Sequence, residues 1–259
     1  MTLHANHTLQ AIRAGKLAIG FGVHHLRTAA TPMLAHAAGF DWLFIDCEHG
    51  AFSVQEASQI CLAALPVGIT PIVRVCADAI DEGTRALDNG AMGIVMPHVN
   101  SVEQARAIVS AYRYPAAGHR SWGGPPACYG FQAPPPAEAQ GAINDAILIC
   151  AMIETPEAVE RADTIAAVPG IDALMIGTSD LSAELGVPGQ PGHARVQDAY
   201  ARVGAACRAH GRVLGMGGIY DEEWARHYIG QGAKLVLGGS DHNFLLAAGT
   251  ARAKFLRAL

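Results

Sequence analysis

The stretch MGIVMPHVNSVEQARAIVSAYRY at 92–114 decides the fold, because two periodicities follow one another within it. Positions 93–99 are apolar almost throughout, as in IVMP at 94–97, the pattern of a strand covered on both faces and therefore paired in parallel beneath helices. From Ser101 the spacing changes to that of an amphipathic helix over 101–114, with Glu103 near its start, where the helix dipole favours a carboxylate.

Outward from this unit the same alternation continues to both ends of the chain. It predicts strands over 17–23, 42–48, 71–75, 93–99, 146–154, 171–177, 213–218 and 235–240. A helix over 53–65 places Val54, Ala57, Ile60, Cys61 and Ala64 on one face, with Ser53 as its N-cap. Eight such units close most economically as a (β/α)8 TIM barrel, a single α/β domain over 1–259, with an open doubly wound sheet as the runner-up. One irregular stretch, 116–140, carries Pro125, Pro126, Pro134, Pro135 and Pro136. It is too long for an ordinary helix-to-strand link and reads as a functional excursion or a lid.

Composition narrows the function. Hydrophobic residues make up 51%, charged residues only 16%, and glycine numbers 29, the balance of a large core with many tight connections. The formal charge of −5 comes with no basic cluster, so the electrostatic footprint of a nucleic-acid binder is missing and a small-molecule ligand is expected. The six cysteines include no Cys-x-x-Cys pair, which points to a reduced, cytoplasmic setting rather than disulfides or a zinc ribbon. No uninterrupted apolar stretch of about 18 residues occurs, so neither export nor membrane insertion is expected.

Barrels of this kind place their chemistry in the loops after the strands. The ionisable residues at those positions are Asp46, Glu48 and His49 after the second strand, Arg74 on the third, Glu154 on the fifth and Asp180 after the sixth. A lone strand-end acid is commonly a cap or an ion-pair partner. Two acids facing one mouth, Glu154 and Asp180, call for compensation, and a hard cation such as Mg²⁺ or Mn²⁺ with water and ligand oxygens supplies it. Histidine titrates at about 6.5 in its unperturbed state, which makes His49 the leading acid/base candidate; His24, His25 and His98 are candidates for substrate contact. Arg74, inside the apolar run PIVRV, needs an anion, and a substrate oxygen would satisfy it. The only lysines, Lys16, Lys234 and Lys254, close no strand at the rim, so a Schiff base has no obvious nucleophile. At Gly177, Thr178 and Ser179 the chain passes from strand to helix, where free N–H groups suit a carboxylate. Glycines at 215, 217, 218, 238 and 239 leave two readings open, a phosphate site or tight packing.

Several segments, taken in order, carry a family resemblance: GFDWLFIDCEHG at 39–50, PIVRV at 71–75, the run 92–120, MIETPEAV at 152–159 and GIDALMIGTSDLSAELG at 170–186. Together they resemble the HpcH/HpaI family of metal-dependent pyruvate aldolases over nearly the whole chain. The resemblance implies a divalent metal, Mg²⁺ or Mn²⁺ with Co²⁺ or Zn²⁺ as substitutes, held by Glu154 and Asp180. It implies His49 as an acid/base acting through water and oriented by Asp46, Arg74 at the enolate oxygen, and Gly177, Thr178 and Ser179 at the keto-acid carboxylate. The implied reaction is reversible cleavage of a 4-hydroxy-2-keto acid to pyruvate, or an analogue such as hydroxypyruvate, and an aldehyde. A lyase acting on a CoA thioester and a phosphate-binding isomerase or synthase are the alternatives. Such proteins commonly form hexamers with C-terminal helices packed on neighbours; the ending DHNFLLAAGTARAKFLRAL suits that arrangement and equally suits a helix covering the last strand of its own chain. The sequence departs from the family pattern at Met152, where Gln is common, at Thr178-Ser179, where Pro-Ala is common, and at 121–126.

Overall fold

A computed structural model describes residues 2–259. Eight parallel strands close on themselves in chain order: β1 (Ala18–Val23), β2 (Trp42–Asp46), β3 (Thr70–Arg74), β4 (Gly93–Met96), β5 (Leu148–Ile153), β6 (Ala173–Gly177), β7 (Val213–Gly217) and β8 (Ala233–Ser240). The expected (β/α)8 barrel is therefore the architecture, and the open sheet is not. Among the described residues no helix is long and apolar enough to cross a membrane.

The two-residue period of a strand sorts side chains between barrel interior and outer layer. Along β2, Trp42 and Phe44 enter the interior cluster, whereas Leu43 and Ile45 pack outward beneath the helices. The same parity sends Ile72, Cys150, Met152, Ala173, Met175, Leu235 and Leu237 inward. One step further toward the C-terminal mouth it delivers Asp46 above Phe44, Arg74 above Ile72, Glu154 above Met152 and Gly177 above Met175. The polar layer is thus a consequence of strand parity, and the register pairs Asp46 with Arg74 directly. Leu9 and Ile12, from the helix His7–Arg13, plug the opposite end.

Local signals account for the helices that flank the site. Ser53 and Ser101 each close a capping box, with Glu56 and Gln104 respectively, so the helices Val54–Val67 and Val102–Tyr112 start where expected. β4, however, stops at Met96 rather than at 99, because Pro97 has no N–H to donate and His98 adopts a left-handed backbone at φ 52°. The stretch 116–140 is also corrected. The helix Pro136–Ala146 begins inside it with proline in its first turn. The rest is tied to the end of the barrel remote from the mouth, where His4 N–H donates to the Cys128 carbonyl and Arg120 pairs with Asp88. It does not form a lid over the mouth of its own barrel.

Trp42 fills the barrel because β1 offers no side chain at Gly20: a Cβ there would stand 2.3 Å from the indole, which is wholly enclosed. Gly20→Ala is expected to destabilise the protein by about 1–3 kcal/mol through overpacking, read as a shift in the urea unfolding midpoint.

Candidate active site

At the mouth, a cavity of about 240 Å³ is bounded by polar groups from six strand ends, over a floor of Phe44, Met152, Met175 and Leu237. Arg74, His49, Glu154, Gly177, Thr178, Ser179 and Asp180 all border it, as do His24 and Tyr220. Of the candidates from the sequence, Asp46, Glu48, His25 and His98 do not line this cavity. Asp46 lies beneath it, fully buried.

The anion that Arg74 needs comes from the protein itself. Its Nε–H donates to Asp46 Oδ1 at 2.9 Å, its Nη2–H donates to Asp46 Oδ2, and its Nη1 lies 2.9 Å from Glu48 Oε2. Its plane also covers the Phe44 ring. The expected dependence on a substrate oxygen is therefore corrected: two carboxylates already neutralise the guanidinium. Of its five N–H donors, two are bonded to Asp46, while Glu48 Oε2 lies beside Nη1 without accepting a hydrogen bond. Burial would lower the Arg74 pKa, but Asp46 and Glu48 outweigh it and drive the group upward.

Asp46 also shapes the turn after β2. Its Oδ1 accepts the main-chain N–H groups of Glu48 and His49 at 3.1 and 3.2 Å, and its Oδ2 lies 3.3 Å from His24 Nδ1. Orientation of His49 by Asp46 thus runs through the main chain rather than through the ring. The His49 imidazole is 61% exposed and has only Glu48 Oε2 near it, at 3.9 Å. Burial raises the Asp46 carboxyl, but the Arg74 guanidinium, the His49 N–H and His24 overcome that effect and hold it below the usual carboxylate range.

Glu154 is 1% exposed, and its two oxygens have different surroundings. Oε2 accepts the His98 N–H at 2.8 Å, whereas Oε1 is buried without a partner. Gly177 makes room for it, since a Cβ there would stand 2.5 Å from Oε1. Burial pushes the Glu154 carboxyl upward and Asp180 adds to the rise, against the opposing pull of His98 and Arg74. A buried, unpartnered carboxylate oxygen beside an exposed second acid fits a hard divalent cation. No group of three or more His, Cys, Asp or Glu side chains among the described residues is arranged to hold a metal, so the fit rests on these two acids with water and ligand oxygens completing the shell.

Asp180 and Ser179 occupy the first turn of the helix Thr178–Glu184. The Thr178 hydroxyl is turned away, 2.7 Å from the Tyr200 hydroxyl, so only its backbone can serve the cavity. Gly218, at φ 77°, keeps that backbone open: a Cβ there would stand 3.1 Å from Ser179 N and 2.8 Å from Ser179 Oγ. Of the other glycines read as a phosphate signal, Gly215 serves packing against Met175 and Gly239 against the Phe244 ring, whereas Gly217 borders the cavity. Sequence reasoning gave no role to Glu48, the second counter-ion of Arg74, or to Tyr220. The quartet Asp46 to His49 was visible, but which of its members turns inward depends on the turn.

Closed parallel barrels assemble catalytic groups at this end of their strands, and the charged layer here places the protein among (β/α)8 enzymes. The chain belongs to the HpcH/HpaI aldolase/citrate lyase family, whose sequence profile it matches over residues 26–248. It is 37% identical over 255 residues to a 4-hydroxy-4-methyl-2-oxoglutarate aldolase of Hapsidospora irregularis, covering 95% of this chain and 92% of the relative. It is 35% identical over 235 residues to a 4-hydroxy-2-oxo-heptane-1,7-dioate aldolase of Salmonella paratyphi B, covering 91% and 88%. The crystal structure of an HpcH/HpaI aldolase from Desulfitobacterium hafniense superposes with a TM-score of 0.88 at 32% identity, covering 96% and 95%. The protein is a carbon–carbon lyase whose chemistry is of the retro-aldol type on small keto-acid skeletons.

Asp46→Asn is expected to cost roughly 3 kcal/mol, since it leaves Arg74 with one carboxylate instead of two. Because the Asp46 pKa is depressed on folding, its contribution is complete above the unfolded carboxylate value, about 3.9, and is lost as pH falls through the lower folded value. Urea unfolding across an acid pH series should therefore show a flatter acid limb in Asp46→Asn than in the wild type.

Proposed function

We propose that the protein, as one barrel domain, is a divalent-metal-dependent aldolase that reversibly cleaves a 4-hydroxy-2-keto acid to pyruvate, or a close analogue such as hydroxypyruvate, and an aldehyde. The observation that carries this reading is the buried, unpartnered Oε1 of Glu154, aimed over Gly177 into a cavity that Asp180 also borders. The relatives named above, both aldolases of 4-hydroxy-2-oxo dicarboxylates by name, support the substrate class.

Glu154 and Asp180 are the residues that would hold the cation. Mg²⁺ or Mn²⁺ suits oxygen donors best, with Co²⁺ or Zn²⁺ as substitutes. When bound, such a cation withdraws electron density from the keto group of the substrate. Arg74, fixed by Asp46 and Glu48, directs its remaining N–H groups at the oxygen that gains negative charge as the C3–C4 bond breaks. The main-chain N–H groups at Thr178 and Ser179, kept open by Gly177 and Gly218, receive the substrate carboxylate. His49 takes the proton of the C4 hydroxyl, directly or through water, and the electrons of the C3–C4 bond pass into the keto-acid half as the aldehyde leaves. Protonation at C3 then completes the keto acid.

Proton exchange at the methyl group of pyruvate in D₂O, followed by NMR, tests the reading without knowledge of the aldehyde. Exchange should depend on added Mg²⁺ or Mn²⁺, stop with chelator, and be abolished in Glu154→Ala and Asp180→Ala. His49→Ala should slow aldol turnover by roughly 10²–10⁴-fold while leaving Mn²⁺ binding intact. Undiminished exchange by metal-stripped protein contradicts the proposal.

The same reading includes a homo-oligomer in the reduced cytoplasm, a setting that six free cysteines suit. The C-terminal helix Asp241–Arg257 buries only Asp241 and leaves Phe244, Leu245, Leu246, Phe255 and Leu256 exposed, while Ile19 on the outer wall of β1 is also bare. Covering by neighbouring copies accounts for this apolar surface better than packing within one chain, and a hexamer is the assembly the resemblance implies. Leu245→Glu combined with Leu256→Glu should lower the mass measured by light scattering to that of smaller species.

A further inference from the structure

We infer that His98 is a positioning residue for Glu154, fixing one carboxylate oxygen so that the other is presented to the cation. This rests on the metal-dependent reading above, and concerns a residue that the family resemblance gives no role and that the sequence offers only as a candidate for substrate contact.

Three observations meet at His98. First, its backbone lies at φ 52°, a left-handed conformation in which a side chain is disfavoured and glycine is the common solution. Second, this conformation aims the His98 N–H at Glu154 Oε2, 2.8 Å away. Third, the ring lies between two acids, the buried Glu154 and the part-buried Glu48. Nδ1 lies 3.3 Å from the same Glu154 Oε2, and Nε2 lies 3.4 Å from Glu48 Oε1. The backbone N–H therefore bonds the same oxygen that the ring approaches, and the imidazole lies between Glu154 and the carboxylate beside Arg74.

The arrangement explains why a side chain is present where glycine would relieve the backbone. Glu154 faces Gly177, where no side chain limits its movement, so on that wall nothing stops the carboxylate from rotating. The clamp from His98 supplies the restraint and assigns Oε2 to the protein, leaving Oε1 as the oxygen without a partner. Groups that orient a ligating carboxylate in this way typically contribute 10–100-fold in metal affinity.

His98→Gly tests the inference, because glycine keeps both the turn and the N–H while removing only the ring. His98→Asn, also tolerated in left-handed backbone, is too short to bridge both acids and should behave alike. The dissociation constant for Mn²⁺ alone, from electron paramagnetic resonance or calorimetry on the full chain, should rise about tenfold in both variants. Turnover should return toward wild type at saturating Mn²⁺, and the thermal midpoint of His98→Gly should not fall. Mn²⁺ binding as tight as wild type in both variants, or a loss of turnover that saturating Mn²⁺ does not restore, overturns the role of His98 and leaves the aldolase reading standing. Failure of the wild type itself to bind Mn²⁺ overturns both.

Discussion

A guanidinium enclosed at the top of the barrel, clamped between the carboxylates of Asp46 and Glu48, is the interaction on which the mouth depends. A buried cation of this kind is tolerable only if its charge is met and its N–H groups are used. Strand register serves both demands by setting Asp46 beside Arg74, where it takes the Nε–H and an Nη2–H; the turn after β2 adds a second negative charge by bringing Glu48 Oε2 to 2.9 Å from Nη1. Asp46, already committed to Arg74, also gathers the N–H groups of that turn. Charge neutralisation and loop shape are therefore one event. From Glu48 the contacts run through His98 to Glu154, and the network ends at an oxygen that the protein leaves unsatisfied.

That open end has an energetic meaning. Burial holds the Glu154 carboxyl above its usual range, and a cation sharing the site would favour its ionised form. Natural sequences depart from full polar satisfaction mainly where function requires it, and in this layer Glu154 Oε1 and Glu48 Oε2 are the departures, the latter lying beside the Arg74 charge. The apolar floor of Phe44, Met152, Met175 and Leu237 excludes water from below and strengthens each charge interaction above it. Met152 belongs to this floor, so the departure from the family's glutamine lies directly beneath the proposed metal ligand.

The fold was legible because parallel strands buried on both faces leave an unmistakable apolar run, and because serine caps mark helix starts at Ser53 and Ser101. The strand-end location of Asp46, Arg74, Glu154 and Asp180 was equally legible, since it follows from period and barrel geometry alone. The pairing among them was not. Which anion meets Arg74, and whether Asp46 touches the ring or the backbone of His49, depends on turn geometry and cross-strand register. The premature end of β4 depends on the backbone of His98, and the false lid at 116–140 arose because three successive prolines read as loop although the last of them starts a helix. Direction mattered as well: a segment leading from a helix into a strand lies at the far end of the barrel from the catalytic mouth.

The account stands or falls on a cation shared by two acids. A crystal structure of the protein with Mn²⁺ and pyruvate, with data collected for anomalous scattering, measures this directly. The account predicts a single anomalous peak at the mouth, with Glu154 Oε1 and an Asp180 oxygen both at about 2.0–2.2 Å and pyruvate completing the shell. Pyruvate bound in the cavity with no anomalous peak between Glu154 and Asp180 would contradict it.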